Sequence, residues 1–211
     1  MAQTTSRAGR PWRGVAPQDR DAQRRARLID AGLEVFGTTG YQASTVSGLC
    51  AAAGVSTRSF YELFSHRSAL LEAVYVQICD DVQTRIVGLG APGDDVSAWI
   101  RAAVEQVLGP LLKDVRTIRI IEVEMVGVSA ELEETRRRTT KSIAEALSLV
   151  QVALSGEGSL TLARRALLGV FLEGGMSEAL VAFARDELAG PVTAEDFLDE
   201  LSTIVEHLLA V

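Results

Sequence analysis

Residues Thr45–Phe64 read TVSGLCAAAGVSTRSFYELF, and this stretch decides what the rest of the chain has to support. Two short runs with helical spacing, Thr45–Ala53 and Thr57 to about Phe64, are joined by Gly54-Val55-Ser56. A three-residue joint containing glycine is the connection of a helix-turn-helix, because glycine takes the left-handed backbone of a sharp turn without steric cost. Leu49, Ala53, Val55 and Phe60 supply a small shared core, and Cys50, Ala52 and Ala53 are small where the two backbones must approach. Ser56 is placed to cap the second helix, its hydroxyl oxygen accepting from an unpaired N–H of the first turn. Thr57, Arg58, Ser59, Tyr61 and Glu62 are then left to face outward. The first turn of such a helix is the part that reaches base edges in a major groove. Small helix-glycine-helix units also serve as plain packing elements, so the flanking sequence has to decide between the two.

Upstream, residues 1–18 are rich in Gly, Pro, Ser, Thr and Arg with no apolar period, the composition of a disordered basic arm. A first helix is expected from Asp19 to Gly37, with Ile29, Leu33 and Phe36 on one face and acids at the positive end of its dipole. Downstream, Ser65 or His66 opens a long fourth helix that runs to about Leu89, and Gly88–Asp95 is the clearest connector. Four or five helices follow, at about Val96–Leu112, Val115–Gly127, Ala130–Ser155, Ser159–Ala189 and Thr193–Leu209. Breaks are expected at Gly109-Pro110, Gly156–Gly158 and Gly190-Pro191. No stretch alternates as a strand would. The reading is an all-α chain of about nine helices: an arm at 1–18, a helix-turn-helix domain at 19–67, and a larger helical domain at 68–211.

The chain carries 21 basic and 28 acidic residues, a net charge of −7 that by itself argues against a nucleic-acid partner. The charge is unevenly placed. Residues 1–67 hold nine arginines against five acids, so this end is net positive by four and the remainder net negative by eleven. A basic head on an acidic body can hold a phosphate backbone with one end only. Hydrophobic residues make up 47% of the 211, enough for a sizeable core. The most apolar stretch, Ala166–Phe183, is interrupted by Glu173, Gly174, Gly175 and Glu178, so no membrane span is expected. The N-terminal arginines precede no apolar block, and a cytoplasmic protein is expected. Cys50 and Cys79 sit in apolar helical patterns as small core residues. The two histidines, His66 and His207, have no metal or nucleophile motif around them, which speaks against an enzyme. A non-catalytic helical adaptor is the alternative to a DNA-binding regulator, but it leaves the hydroxyl- and arginine-bearing short helix without a purpose.

From Gly40 to Tyr75 the sequence, GYQASTVSGLCAAAGVSTRSFYELFSHRSALLEAVY, resembles the DNA-binding domain of the TetR family of bacterial regulators. The likeness lies in an aromatic after glycine, a threonine opening the second helix and Ala-Gly-Val-Ser at the turn. Phe-Tyr-x-x-Phe and a basic residue before Ala-Leu-Leu complete it. The resemblance implies DNA contacts at Thr45, Ser56, Thr57, Arg58, Ser59, Tyr61, Glu62, His66 and Arg67. Thr45 and Tyr61 would meet phosphates, and Arg67 would meet the backbone from the start of the fourth helix. Arg58 departs from the small residue common there, and could pair with guanine or reach a phosphate. Cys50 replaces the usual alanine. Arg24 and Arg25 are candidates for backbone or minor-groove contacts, and Arg7, Arg10 and Arg13 for the same role or for a solvated arm.

The resemblance further implies that the body senses a small-molecule effector, with no cofactor and no metal, and pairs two chains into a homodimer through residues 159–189 and 193–209. Gly169, Gly174 and Gly175 fit a helix against which another backbone packs closely. The stripe Phe197, Leu198, Leu201, Ile204, Val205, Leu208 and Leu209 is the expected partner face. Candidate pocket residues are Cys79, Trp99, Val107, Ile121, Met125, Leu147, Phe171 and Met176. Glu122, Glu124 and Glu173 interrupt apolar runs, and a partly buried carboxylate needs a partner: an arginine of this chain such as Arg119, or a cationic ligand. Arg136–Arg138 reads as a solvated helix face.

Overall fold

The computed structural model describes residues 17–155 and 161–209, and all regular structure within them is helical. The expected arm contacts at Arg7, Arg10 and Arg13 and the expected break at Gly156–Gly158 lie outside these residues. The helices are α1 (Pro17–Thr38), α2 (Val46–Ala53), α3 (Thr57–Leu63), α4 (Arg67–Val87) and α5 (Val96–Lys113). They continue with α6 (Val115–Arg119), a π-helical turn (Ile120–Glu124), α7 (Ala130–Ser155), α8 (Leu162–Ala184) and α9 (Ala194–Leu209). α1 packs on α2, α4 and α6; α4 packs on α5 and α7; α7 pairs with α8, and α5 with α9. One apolar core runs through both ends of the chain, from Leu28, Phe36, Leu49 and Phe60 through Leu70 and Val74 to Leu108, Leu172 and Val205.

Several elements differ from the sequence reading, each for a physical reason. α5 runs straight through Gly109-Pro110 and ends at Asp114. Proline costs a helix interior about 3 kcal/mol, but Leu108, Leu111 and Leu112 beside it are buried. Burying each such side chain is worth about 1.5–3 kcal/mol. The stop falls instead where the Asp114 carboxylate accepts from the backbone N–H of Arg116 and caps α6. The expected helix Val115–Gly127 is divided: α6 gives way to the π-helical turn, which buries Ile120. α8 is shorter than the reading at both ends. Thr161 caps its start by accepting from the Arg164 N–H, and it stops before Asp186 and Glu187, acids unfavourable at the negative end of a helix dipole.

Two further corrections concern the outer surface. Phe197, Leu201 and Val205 of α9 are buried within the chain against α5, so three of the seven residues of the expected partner stripe are intrachain core, while Ile204 stays exposed. Helix α8 has an outer face that nothing among the described residues covers. By length and composition alone it would pass as a membrane span, contrary to the sequence expectation, and only 17% of its most apolar window is buried. Gly169 on its inner face explains the α7–α8 pairing: a Cβ there would lie 2.3 Å from the Ala144 carbonyl oxygen. The tight approach expected of the three glycines is thus made within the chain at Gly169, while Gly174 and Gly175 face open space.

Candidate nucleic-acid interface and effector cavity

The reading head is built by local rules. The Thr45 hydroxyl accepts from the Gly48 N–H at 3.1 Å, opening α2. Gly54 closes it with φ +63°, a left-handed conformation that a side chain would strain. The Ser56 hydroxyl accepts from the Ser59 N–H at 3.1 Å, opening α3. Of the seven residues of α3 only Phe60 is buried, in a core with Leu49 and Ala53. Phe60, with the half-buried Leu63, fixes the helix and turns Thr57, Arg58, Tyr61 and Glu62 to solvent. Tyr61 stands edge-on to Phe60, with ring centroids 5.4 Å apart, and is 56% exposed.

The remaining candidates sit around this helix with partners inside the chain. The Arg58 Nε donates to Glu62 at 3.1 Å one turn on, so the two form one charged pair along the outer face rather than two independent groups. Arg24 reaches α3, donating to the Ser59 hydroxyl at 3.4 Å while pairing with Asp21. Arg25 stacks over Phe64, 5.2 Å from the ring centroid. His66 is the N-cap of α4: its Nδ1 accepts from the Ala69 N–H at 3.1 Å. Arg67 is drawn inward, stacked 4.1 Å above the Tyr41 ring and donating to the Ser44 carbonyl. Sequence reasoning foresaw Arg67 only as a backbone contact; in the structure it also braces the connector before α2.

A second feature lies in the body. A cavity of about 290 Å³, near the lower bound for small-molecule sites, opens among α4, α5, the π-helical turn, α7, α8 and α9. Its wall is mainly apolar. Cys79, Trp99, Val107, Ile121, Leu147 and Met176 stand on it, as do Glu122 and Glu173. Two expected lining residues do not. Met125 is wholly buried in the core, and Phe171 is 69% exposed on the outer face of α8, opposite the cavity-facing Leu172 and Met176. Arg136, read as a solvated residue, stands on the wall, its Nε held by Glu133 at 3.1 Å. Sequence reasoning missed Gln151, which is 1% exposed on the wall with its Oε1 unpartnered among the described residues. A glutamine interrupting the apolar run Leu149–Leu154 on α7 was the available signal.

Burial pushes the carboxyls of Glu122 and Glu173 above the ordinary range, and the charge of Glu122 raises Glu173 further. The Ser177 hydroxyl donates to Glu122 at 2.8 Å and counteracts part of that. Burial likewise pushes the Cys79 thiol up to about 12 and raises the Tyr75 phenol. Glu124, two residues beyond Glu122, points the other way. It accepts from the Tyr41 N–H at 2.6 Å and from Arg119 Nε at 2.8 Å, while Arg119 Nη1 donates to the Thr38 carbonyl at 2.7 Å. The π-helical turn thus has one carboxylate in the cavity and one clasping the α1–α2 connector of the head.

A helix pair with capped starts, a glycine joint and an outward first turn has the geometry of a helix-turn-helix, the unit whose second helix enters a major groove in DNA-binding proteins. Residues 28–74 match the model of the bacterial regulatory proteins of the tetR family. The match covers the head of the chain, which is similar to the DNA-binding domain of that family. No curated protein matches the chain. Among solved structures, the fatty acid degradation regulator FadR of Bacillus halodurans is 17% identical with a TM-score of 0.70, covering 93% of this chain and 97% of that one. FadR of Bacillus subtilis in complex with stearoyl-CoA is 17% identical, with a TM-score of 0.69 over 88% and 97% of the two chains. A chain from Syntrophomonas wolfei described as a TetR-family transcriptional regulator is 14% identical, with a TM-score of 0.74 over 90% and 97%. At these identities the likeness is one of fold.

Proposed function

We propose that this chain is a ligand-responsive repressor that works in the cytoplasm and binds a pseudo-palindromic operator as a homodimer. The observation that carries the DNA contact is the first turn of α3. The helix is anchored by Phe60, with Leu63 packed beside it, and offers Thr57, Arg58 and Tyr61 to a major groove, with Thr45 at the phosphates beside it. The dimer reading rests on α8, where Leu167, Val170 and Phe171 form one outward stripe at helical spacing that nothing among the described residues covers. A second copy related by a two-fold axis covers it with the same stripe. That pairing also supplies the second head that a palindrome needs, about 34–36 Å from the first.

The cavity is the effector site in this reading. The stearoyl-CoA of the Bacillus subtilis neighbour shows one occupant of such a fold, and an apolar tail suits the wall found here. Effector binding acts as a population shift, and it has two routes to the head. Helix α4 carries Tyr75, Cys79 and Val82 on the cavity and begins at the head, and the π-helical turn joins Glu122 to the Glu124 clasp. A ligand that favours one arrangement of these elements changes head spacing; one that binds both equally changes nothing.

Fluorescence anisotropy with DNA fragments from around the protein's own gene, across a salt series, tests the DNA reading. Selective binding that weakens steeply with salt and is lost in Tyr61→Ala supports it. Weak binding, equal on all fragments and indifferent to Tyr61, overturns it and favours a helical adaptor.

A further inference from the structure

Two of the three charged groups on the described cavity wall are carboxylates. Glu122 and Glu173 bring two carboxylates from different elements, and Ser177, already spent as a donor to Glu122, stands with them. Gln151 brings a carbonyl oxygen that is buried and unpartnered among the described residues. Arg136 is the one cation on the described wall and is engaged by Glu133; the Trp99 Nε1 donates to the Gly90 carbonyl at 3.0 Å, and the Tyr75 and Thr140 hydroxyls also stand on the wall. Buried acceptors without donors carry a desolvation cost that a bound donor removes.

We propose that the cavity takes an organic cation with a donating nitrogen head, a protonated amine or amidine on an apolar body, its N–H groups held by Glu122 and Glu173. This rests on the reading of the cavity as the effector site. The apolar body lies among Val107, Ile121, Leu147 and Met176, and the head sits at the acidic end of the wall. An anionic head of the same size meets two carboxylates and one engaged arginine, and is repelled. A neutral alcohol satisfies one acceptor but leaves the carboxylates uncompensated. The elevated carboxyls of Glu122 and Glu173 fit a site whose countercharge arrives with the ligand.

Decylamine, decanol and decanoate share an apolar body and differ in the head, so calorimetric titration of the full chain with each near neutral pH separates the cases. Decylamine is expected to bind tightest and decanoate weakest. In the Glu122→Gln, Glu173→Gln double variant decylamine should weaken by about tenfold or more, while decanol is unchanged. Decanol also reports that the variant is folded and its cavity intact. Decanoate or decanol binding as tightly as decylamine, or a double variant that holds decylamine equally well, would overturn the cationic ligand and leave the effector cavity standing. Failure of all three probes to bind would overturn the effector cavity itself, and the present proposal with it.

Discussion

Glu124 is a sharp test of how head and body are joined. Its carboxylate is 10% exposed and takes the Tyr41 N–H at 2.6 Å and the Arg119 Nε at 2.8 Å. The Tyr41 amide has no other acceptor among the described residues, so Glu124→Ala leaves it half-buried and unpaired. A hydrogen bond to a charged acceptor is worth about 1.5–3 kcal/mol, and the Tyr41 bond counts near that value. Arg119 is 40% exposed, which reduces its bond towards the surface value of about 0.2–1 kcal/mol. The expected loss for Glu124→Ala is thus about 2–4 kcal/mol. Glu124→Gln keeps one accepting oxygen and should lose roughly half as much. Urea unfolding followed by far-ultraviolet circular dichroism measures both, with Glu134→Ala as the control, since Glu134 pairs only with Arg137 in the open. A loss for Glu124→Ala below about 0.5 kcal/mol, the size of an ordinary surface substitution, would refute the clasp.

Other outcomes follow from the same structure. Gly169→Ala puts a Cβ 2.3 Å from the Ala144 carbonyl oxygen and should cost about 1–3 kcal/mol in thermal unfolding, whereas Gly174→Ala, with open space around it, should not. Phe171→Asp, on the exposed stripe of α8, should convert a dimer to a monomer in sedimentation while leaving the helical content intact. The carboxyls of Glu122 and Glu173 are raised in the fold, so the folded chain holds protons that the unfolded chain has released. Stability from these groups is therefore greatest below the ordinary value of 4.5 and is lost as pH rises above it. The Glu122→Gln, Glu173→Gln variant should overtake the parent in urea stability as pH climbs through that window. The groups that modulate the effect are Arg136, Glu178 and Ser177. Cys79, its thiol pushed up to about 12 by burial, should resist alkylation in the native protein near pH 8 and react on unfolding.

The head was legible in the sequence because every signal there is local. The caps at Thr45 and Ser56, the left-handed Gly54 and the anchor Phe60 act over three to eleven residues, within reach of propensity and spacing. The lengths of α7 and α9, and the placing of most cavity residues on inward faces, followed from helical periodicity for the same reason. Periodicity states that a residue is on an apolar face; it does not state what covers that face. Only the packed chain decided that Phe197, Leu201 and Val205 meet α5 rather than a second copy, and that Phe171 points outward while Leu172 points in. Only packing carried α5 through Pro110, because the gain from leucines on both sides outweighs one lost hydrogen bond. The division of Glu122 and Glu124 between cavity and clasp depends on a π-helical turn, and the unpartnered Gln151 oxygen depends on where four other helices end up. The sequence by itself determined the elements and the reading helix, through interactions a few residues long. The tertiary structure decided which apolar face is core, which is left exposed, and which carboxylates stand on the cavity wall.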